Sequence, residues 1–210
     1  PVRALETYGD GSECRACVWY TAGRGRAEAI RLTLAEADVP FVDKVPEKGR
    51  RGYLNFLKHC ARLGGHLTTN IPMLTLDGQH FVQSATILRM LGRVTGPLPE
   101  RHAPRAEMLM DCATDLREHG HTLAFSRGGP QGPGDPQAAR IFMGVLATHL
   151  TNFERLLGDG PYFCGDALCV ADLSVYDVAC NYAEKMFPNC LMYFPSIAAF
   201  VQRVQARPRM

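Results

Sequence analysis

A chain of 210 residues that is 46% hydrophobic, 21% charged and 9% aromatic has the composition of an ordinary globule, long enough for one or two cores. Its net charge of +2 gives no electrostatic ground for nucleic acid or an anionic membrane as partner. No apolar run approaches the ~20 residues needed to cross a bilayer.

Residues 1–12 are polar, rich in glycine and without period, and read as a disordered leader; they lack the apolar stretch of a signal peptide. Residues 14–20 are short, apolar and bounded by polar positions, as a strand is. From Arg24, the apolar positions Ala27, Ile30, Leu34 and Ala37 fall at helical spacing until Pro40 ends the helix. Residues 41–45 read as a second strand, and 46–70 as a polar, basic region around a short helix, 53–60. Residues 72–76, the turn pair Asp77-Gly78 and residues 79–82 carry a hairpin signature. A helix follows from Ser84, with Ile87, Leu88, Leu91 and Val94 inward, and 95–99 is the clearest linker in the chain.

Beyond it the periodicity is helical over 105–125, 137–157, 171–186 and 196–206, with a Gly- and Pro-rich break at 126–136. In the second of these segments Ile141, Val145, Leu146, His149, Leu150, Phe153 and Leu156 line one side, and in and just after the third Tyr176, Tyr182 and Phe187 read as core. The domains expected are therefore 13–95 and 103–210, joined by 96–102.

Cys14, Cys17, Cys60, Cys112, Cys164, Cys169, Cys180 and Cys190 are scattered at irregular spacings. That is no disulfide framework in a chain of this length, and it points to a reducing, cytoplasmic location. Cys14-x-x-Cys17 lies upstream of the strand-to-helix junction where a helix N-terminus would activate a thiol, and no second pair completes a zinc site. The two are read as incidental thiols. The seven histidines form no metal constellation, and no metal is expected.

Three segments go further. Tyr20-Thr-Ala-Gly-Arg-Gly-Arg-Ala-Glu-Ala-Ile-Arg31, Ile71-Pro72-Met-Leu, and Gln83-Ser84 leading into Ile87, Arg89 and Leu91 resemble, in the same order, segments of the cytosolic glutathione transferases, specifically a sigma-like class. The resemblance runs over about 18–92. It implies a thioredoxin-like α/β domain followed by an all-helical domain that forms the electrophile site. It also implies glutathione as co-substrate, a hydrophobic electrophile or peroxide-type substrate, and a homodimer without nucleic-acid or membrane partners. Isomerisation of a prostaglandin endoperoxide occurs within that class.

The resemblance also assigns roles. Tyr20 donates a hydrogen bond to the glutathione thiolate, and Arg26 supports it electrostatically; the plain alternative for Tyr20 is a strand-end aromatic. Ile71 precedes a cis proline, Pro72, and offers its backbone to the cysteinyl unit. Gln83 and Ser84 bind the γ-glutamyl carboxylate at a helix N-terminus, where Ser84 is also a good N-cap. Asn70 stands where the family often has Gln or Lys. Tyr53 and Lys58 are candidates for the glycyl end. Asp115, with Glu118 one turn on, matches the acid offered to the partner subunit's γ-glutamyl amine, or is a solvated helix charge. Gly23 and Gly25 let backbone approach the ligand, whereas Arg24 and Arg31 read as solvated or salt-bridged. Cys169-Val-Ala-Asp172 stands where the family has a Ser/Thr-x-x-Asp capping box, with a thiol in place of the hydroxyl. Two other classes are weighed beside the enzyme. A non-catalytic carrier or crystallin-like structural protein is favoured because the Trp with which the family usually reaches the glycyl end has no counterpart here, the single Trp19 lying elsewhere. A thiol–disulfide oxidoreductase would require a cysteine near 20–24, and none is present.

Overall fold

The computed structural model describes residues 4–7, 15–64, 70–96, 100–125 and 136–210. Cys14, the centre of the linker at 97–99 and the Gly- and Pro-rich break at 126–135 lie outside them. The chain divides into two compact units, Pro1–Gly96 with Arg209–Met210, and Pro97–Pro208.

The first unit is a mixed sheet with helices. Its strands are β1 (Ala4–Thr7), β2 (Ala16–Trp19), β3 (Val42–Val45), β4 (Met73–Leu76) and β5 (Gln79–Val82), in the spatial order β1-β3-β2-β4-β5. β3 runs parallel to β2, while β4 is antiparallel to both β2 and β5. Every residue of β2 is buried, so this strand shows a continuous apolar run rather than alternation. The β4–β5 turn is made by Asp77 and Gly78, both at positive φ (49° and 78°), the conformation that a two-residue hairpin requires.

Four residues of the expected leader are not disordered. Ala4–Thr7 pair in parallel with β3, from Ala4 opposite Val42 to Thr7 opposite Val45, because the outer backbone groups of β3 would otherwise lack partners.

Helix α1 (Glu28–Glu36) follows a single 3-10 turn at Gly25–Ala27 and buries Ala29, Ile30 and Leu34. Helix α3 (Ser84–Val94) packs on it with Ile87, Leu88 and Leu91. Val94, expected inward, is 62% exposed, because it closes the last turn beyond the packed stripe. Helix α2 (Gly49–Gly64) is twice the expected length: Gly52, Phe56 and Cys60 recur every fourth residue and give it a continuous buried stripe. Phe56 lies 6.1 Å from Trp19, ring to ring.

The second unit is helical: α4 (Ala103–Phe125), α5 (Pro136–Leu157), α6 (Val170–Val178), and α7 (Pro195–Gln205). A 3-10 turn, Glu100–His102, leads into α4, and α6 runs on into a π-helical segment, Ala179–Glu184. The buried side of α5 is Phe142, Leu146, Leu150, Phe153 and Leu157. Leu146, Leu150 and Phe153 are on the expected side, whereas Phe142 and Leu157 are buried in place of Ile141, which is 61% exposed, and Leu156, which is half-buried. Tyr182 is buried as expected, while Tyr176 and Phe187 are only half-buried. Asp172 accepts the Cys169 N–H at 2.8 Å, which closes the first turn of α6 despite the thiol at the cap. No helix among the described residues is long and apolar enough to cross a membrane.

Candidate functional site

The residues brought together in the first unit gather at the end of β2. Tyr20, one residue past that strand, is 8% exposed and donates its backbone N–H to Lys44 at 3.1 Å. Its hydroxyl accepts the backbone N–H of Arg26 at 3.2 Å. Accepting that bond leaves the hydroxyl's own proton to be donated elsewhere, and it polarises the O–H towards donation.

The contact depends on Gly25, which sits at φ +45° in the 3-10 turn; a Cβ there would stand 2.6 Å from the Tyr20 oxygen. The glycine requirement thus concerns Tyr20 itself. At Gly23 a Cβ would meet only Thr21 Oγ1 at 3.7 Å, so no contact within the protein requires glycine there.

Arg31 was read as solvated or salt-bridged, and the structure gives it a larger part. It is 3% exposed and pairs through Nε with Asp43 at 2.8 Å and through Nη1 with Glu28 at 3.2 Å. Nη1 also donates to the carbonyls of Gly23 (2.9 Å) and Arg24 (3.2 Å), and Nη2 to that of Thr21 (3.2 Å). A buried guanidinium is tolerated only when its donors are met, and here the loop 21–24 meets them. The guanidinium carbon lies 5.8 Å from the centre of the Tyr20 ring. Sequence reasoning missed this hub. The available signal was Asp43, a carboxylate within a four-residue strand that also carries Lys44. Arg24 pairs with Glu28 at 3.7 Å and stays largely exposed.

The Ile71–Pro72 bond is cis, and both residues are buried. The Ile71 N–H, which the resemblance aims at a ligand, donates instead to the side chain of its own neighbour, Asn70 Oδ1, at 3.0 Å. At the start of α3 the N-cap position belongs to Gln83, at φ 71°, and Ser84 is the first helical residue. Ser84 is therefore not the cap: the positive φ of Gln83 turns the chain into the helix one residue earlier. The Gln83 side chain makes no cap hydrogen bond at this end, where the first N–H groups of a helix are anion donors.

Tyr53 and Lys58 are both exposed on α2, but five residues apart they point about 140° away from each other around the helix. The structure does not bring them to one face. Asp115 is exposed on α4, in the second unit, where its backbone carbonyl contacts His119 Nδ1 at 2.8 Å. Trp19 is structural: it is 1% exposed and donates to Thr75 Oγ1 at 2.9 Å, which in turn contacts His80 Nδ1 at 2.9 Å. No group of acidic, histidine or cysteine residues among the described ones could hold a metal ion.

With this geometry in place, known proteins offer a comparison. Residues 115–210 match the family profile described as glutathione S-transferase, C-terminal domain. "Glutathione S-transferase P 2" of Bufo bufo is 32% identical over 199 residues, covering 91% of this chain and 88% of its own. "Glutathione S-transferase Mu 2" of Rattus norvegicus is 31% identical over 193 residues, covering 87% and 82%. Among solved structures, the Onchocerca volvulus Pi-class glutathione S-transferase superposes with a TM-score of 0.75 at 24% identity, covering 93% of this chain and 89% of its own. At that identity the likeness speaks for the fold.

Proposed function

The chain belongs to the glutathione S-transferase family, and from that premise we propose that it binds glutathione, holds it as the thiolate and adds it to hydrophobic electrophiles. One observation carries the reading: Tyr20 presents a hydroxyl that already accepts the Arg26 N–H and keeps its proton for a ligand.

A thiol of pKa about 8.5 is only a few per cent ionised at neutral pH, and the thiolate is the nucleophile. Each unit removed from that pKa corresponds to about 1.4 kcal/mol in favour of the anion. One charge-assisted hydrogen bond contributes roughly 1.5–3 kcal/mol, enough for one to two units. In this reading the thiol proton leaves for solvent and the Tyr20 O–H donates to the sulfur. The sulfur then forms a bond to the electrophilic carbon as the leaving group departs. The uncapped start of α3 at Gln83 and Ser84 takes the γ-glutamyl carboxylate, and the cysteinyl backbone docks at Ile71 by displacing the Asn70 side chain. Tyr53 or Lys58 receives the glycyl carboxylate. Asp115 serves the neighbouring subunit's γ-glutamyl amine in a cytoplasmic homodimer.

The P and Mu names belong to the relatives. The sigma-like placement rests on the three N-terminal segments, and peroxide-type substrates and endoperoxide isomerisation stay within this proposal as further uses of the same thiolate. A second reading, a non-catalytic carrier of hydrophobic ligands, is favoured by the Asn70 side chain occupying the Ile71 N–H and by the divergence of Tyr53 and Lys58.

Ultraviolet difference titration with glutathione at neutral pH separates the two. A thiolate band in the intact protein that vanishes in Tyr20→Phe, while binding persists, is the expected result. Binding without a band sinks the activation step and favours the carrier.

A further inference from the structure

Cys169 replaces the hydroxyl of the capping box, and nothing in the proposed chemistry uses it. Its surroundings are specific. Asp172, fully buried, accepts two backbone N–H groups at 2.8 Å each, from Phe163 and from Cys169. The residue before Cys164 and Cys169 itself thus hang from one carboxylate. The turn that carries Cys164 is closed by the antiparallel bridge of Tyr162 and Gly165. From the other side Arg105 Nε–H donates to the Phe163 carbonyl at 2.7 Å. The two thiols, 7% and 6% exposed, are free and lie five residues apart on this short, anchored stretch.

We propose that Cys164 and Cys169 form a redox dithiol, which a small peroxide closes to a disulfide and a thiol reductant reopens. The Cys164 thiolate attacks a peroxide oxygen and the O–O bond breaks. Cys164 becomes a sulfenic acid, and hydroxide leaves to be protonated to water. The Cys169 sulfur then attacks the Cys164 sulfur; the S–S bond forms, the S–O bond breaks, and water departs with the Cys169 proton. Two thiols lose two electrons and two protons, and hydrogen peroxide becomes two waters.

The electrostatics agree with that order of events. The S–H of Cys169 holds the Cys164 thiol below its ordinary range, Arg105 adds to this, and burial and Asp172 oppose it. Cys169 is pushed up, first by that same bond and then by burial, so it keeps its proton as donor. Elsewhere burial pushes Cys60 up to about 12 and Cys190 up to about 11, and raises Cys112. The thiolate is the oxidisable form, so Cys164 is set apart from those thiols. Low exposure restricts the oxidant to a small one. The site lies within the second unit and does not depend on Tyr20.

The test uses the full chain, treated with hydrogen peroxide at neutral pH, then denatured and alkylated. Cleavage after Arg155 and Lys185 releases one peptide containing Cys164, Cys169 and Cys180. The expected peptide is lighter by two hydrogens, carries one alkyl group, on Cys180, and regains all three after dithiothreitol. In Cys169→Ser, which supplies an N-cap hydroxyl and so preserves the helix start, Cys164 stops at a sulfenic acid that dimedone traps. Alkylation of all three thiols after peroxide overturns the proposal. So does a two-hydrogen loss that survives in Cys169→Ser, or sulfinic acid at Cys164 beside a freely alkylated Cys169.

Discussion

Arg31 in the first unit and Arg117 in the second are both withdrawn from water and both paired with a buried aspartate, Asp43 at 2.8 Å and Asp177 at 2.9 Å. Beyond that they differ. Arg31 reaches the Glu28 carboxylate and the carbonyls of Thr21, Gly23 and Arg24, so its charge shapes the loop that runs over the Tyr20 hydroxyl. Arg117 joins α4 to the end of α6, and its Nε has no hydrogen-bond partner among the described residues. The remaining oxygen of Asp177 takes the Asn181 amide at 2.7 Å. The same residue pair serves once as a mould for a site and once as a bolt between helices.

Mutation can break or sharpen that contrast. The largest effects are expected from Arg31→Ala and Arg117→Ala, because each strands an aspartate that is 0% exposed; urea unfolding should show about 3–5 kcal/mol lost in either case. Paired apolar replacements should then separate the two. Arg117→Met with Asp177→Leu is expected within ~1 kcal/mol of the native chain, since a buried ion pair exchanges for packing at little net cost. Arg31→Met with Asp43→Leu should still lose the glutathione thiolate band, because the loop carbonyls no longer share an anchor. Retention of the band there would reduce Arg31 to a second bolt.

Gly25→Ala probes the mould directly. The clash with the Tyr20 oxygen should lower kcat/KM for glutathione conjugation at least tenfold, about 1.4 kcal/mol in the barrier, and the positive φ at this position should cost about 1 kcal/mol or more in urea unfolding. A smaller effect is expected from Asn70→Ala. If Asn70 competes with the ligand for the Ile71 N–H, its removal should lower the KM for glutathione by a few-fold at constant kcat; a raised KM would instead make the amide a binding group. The smallest effect compares one histidine in each unit. Burial lowers the pKa of both His59 and His149, with Arg62 and His119 adding to the shift and Asp115 opposing it at His149. The folded state therefore holds these protons less tightly than the unfolded chain. Their contribution is fully present above the ordinary value of 6.5 and fades as pH falls below it. Urea midpoints on either side of that pH should fall with acid, and less steeply in His59→Gln and His149→Gln.

What sequence reading could find was local. The Asp77-Gly78 turn, the helix entered after Gln83 and the strand leading to Tyr20 each announce themselves within a few residues. Arg31 did not, because an arginine in a helix is exposed by default, and its burial is decided by Asp43 on a strand whose position only the sheet fixes. The face of α5 is legible at Leu146, Leu150 and Phe153, but not at its start: Ile141 and Phe142 are both apolar, and tertiary contacts such as Phe187, 5.9 Å from Phe142, select between them. The capture of the Ile71 N–H by Asn70 needs side-chain coordinates and has no signature in spacing.

The π-helical segment at the end of α6 carries a consequence for insertions and deletions. Lys185 N–H bonds the Cys180 carbonyl, five residues back, at 3.1 Å, so the segment holds one residue more than an α-helix of the same rise. Tyr182 lies within it. Its ring lies against α4 where Gly120 has no side chain (a Cβ there would stand 2.4 Å from Tyr182 Cδ1), and its hydroxyl contacts His121 Nε2 at 2.9 Å. Deleting one residue just before Tyr182 would relax the segment to regular α-helix, yet it would swing everything downstream by about 100° relative to α4. The looser helix is the one that keeps the phase of this packing, so a change of length here is expected to disturb α4 and everything after Tyr182 together.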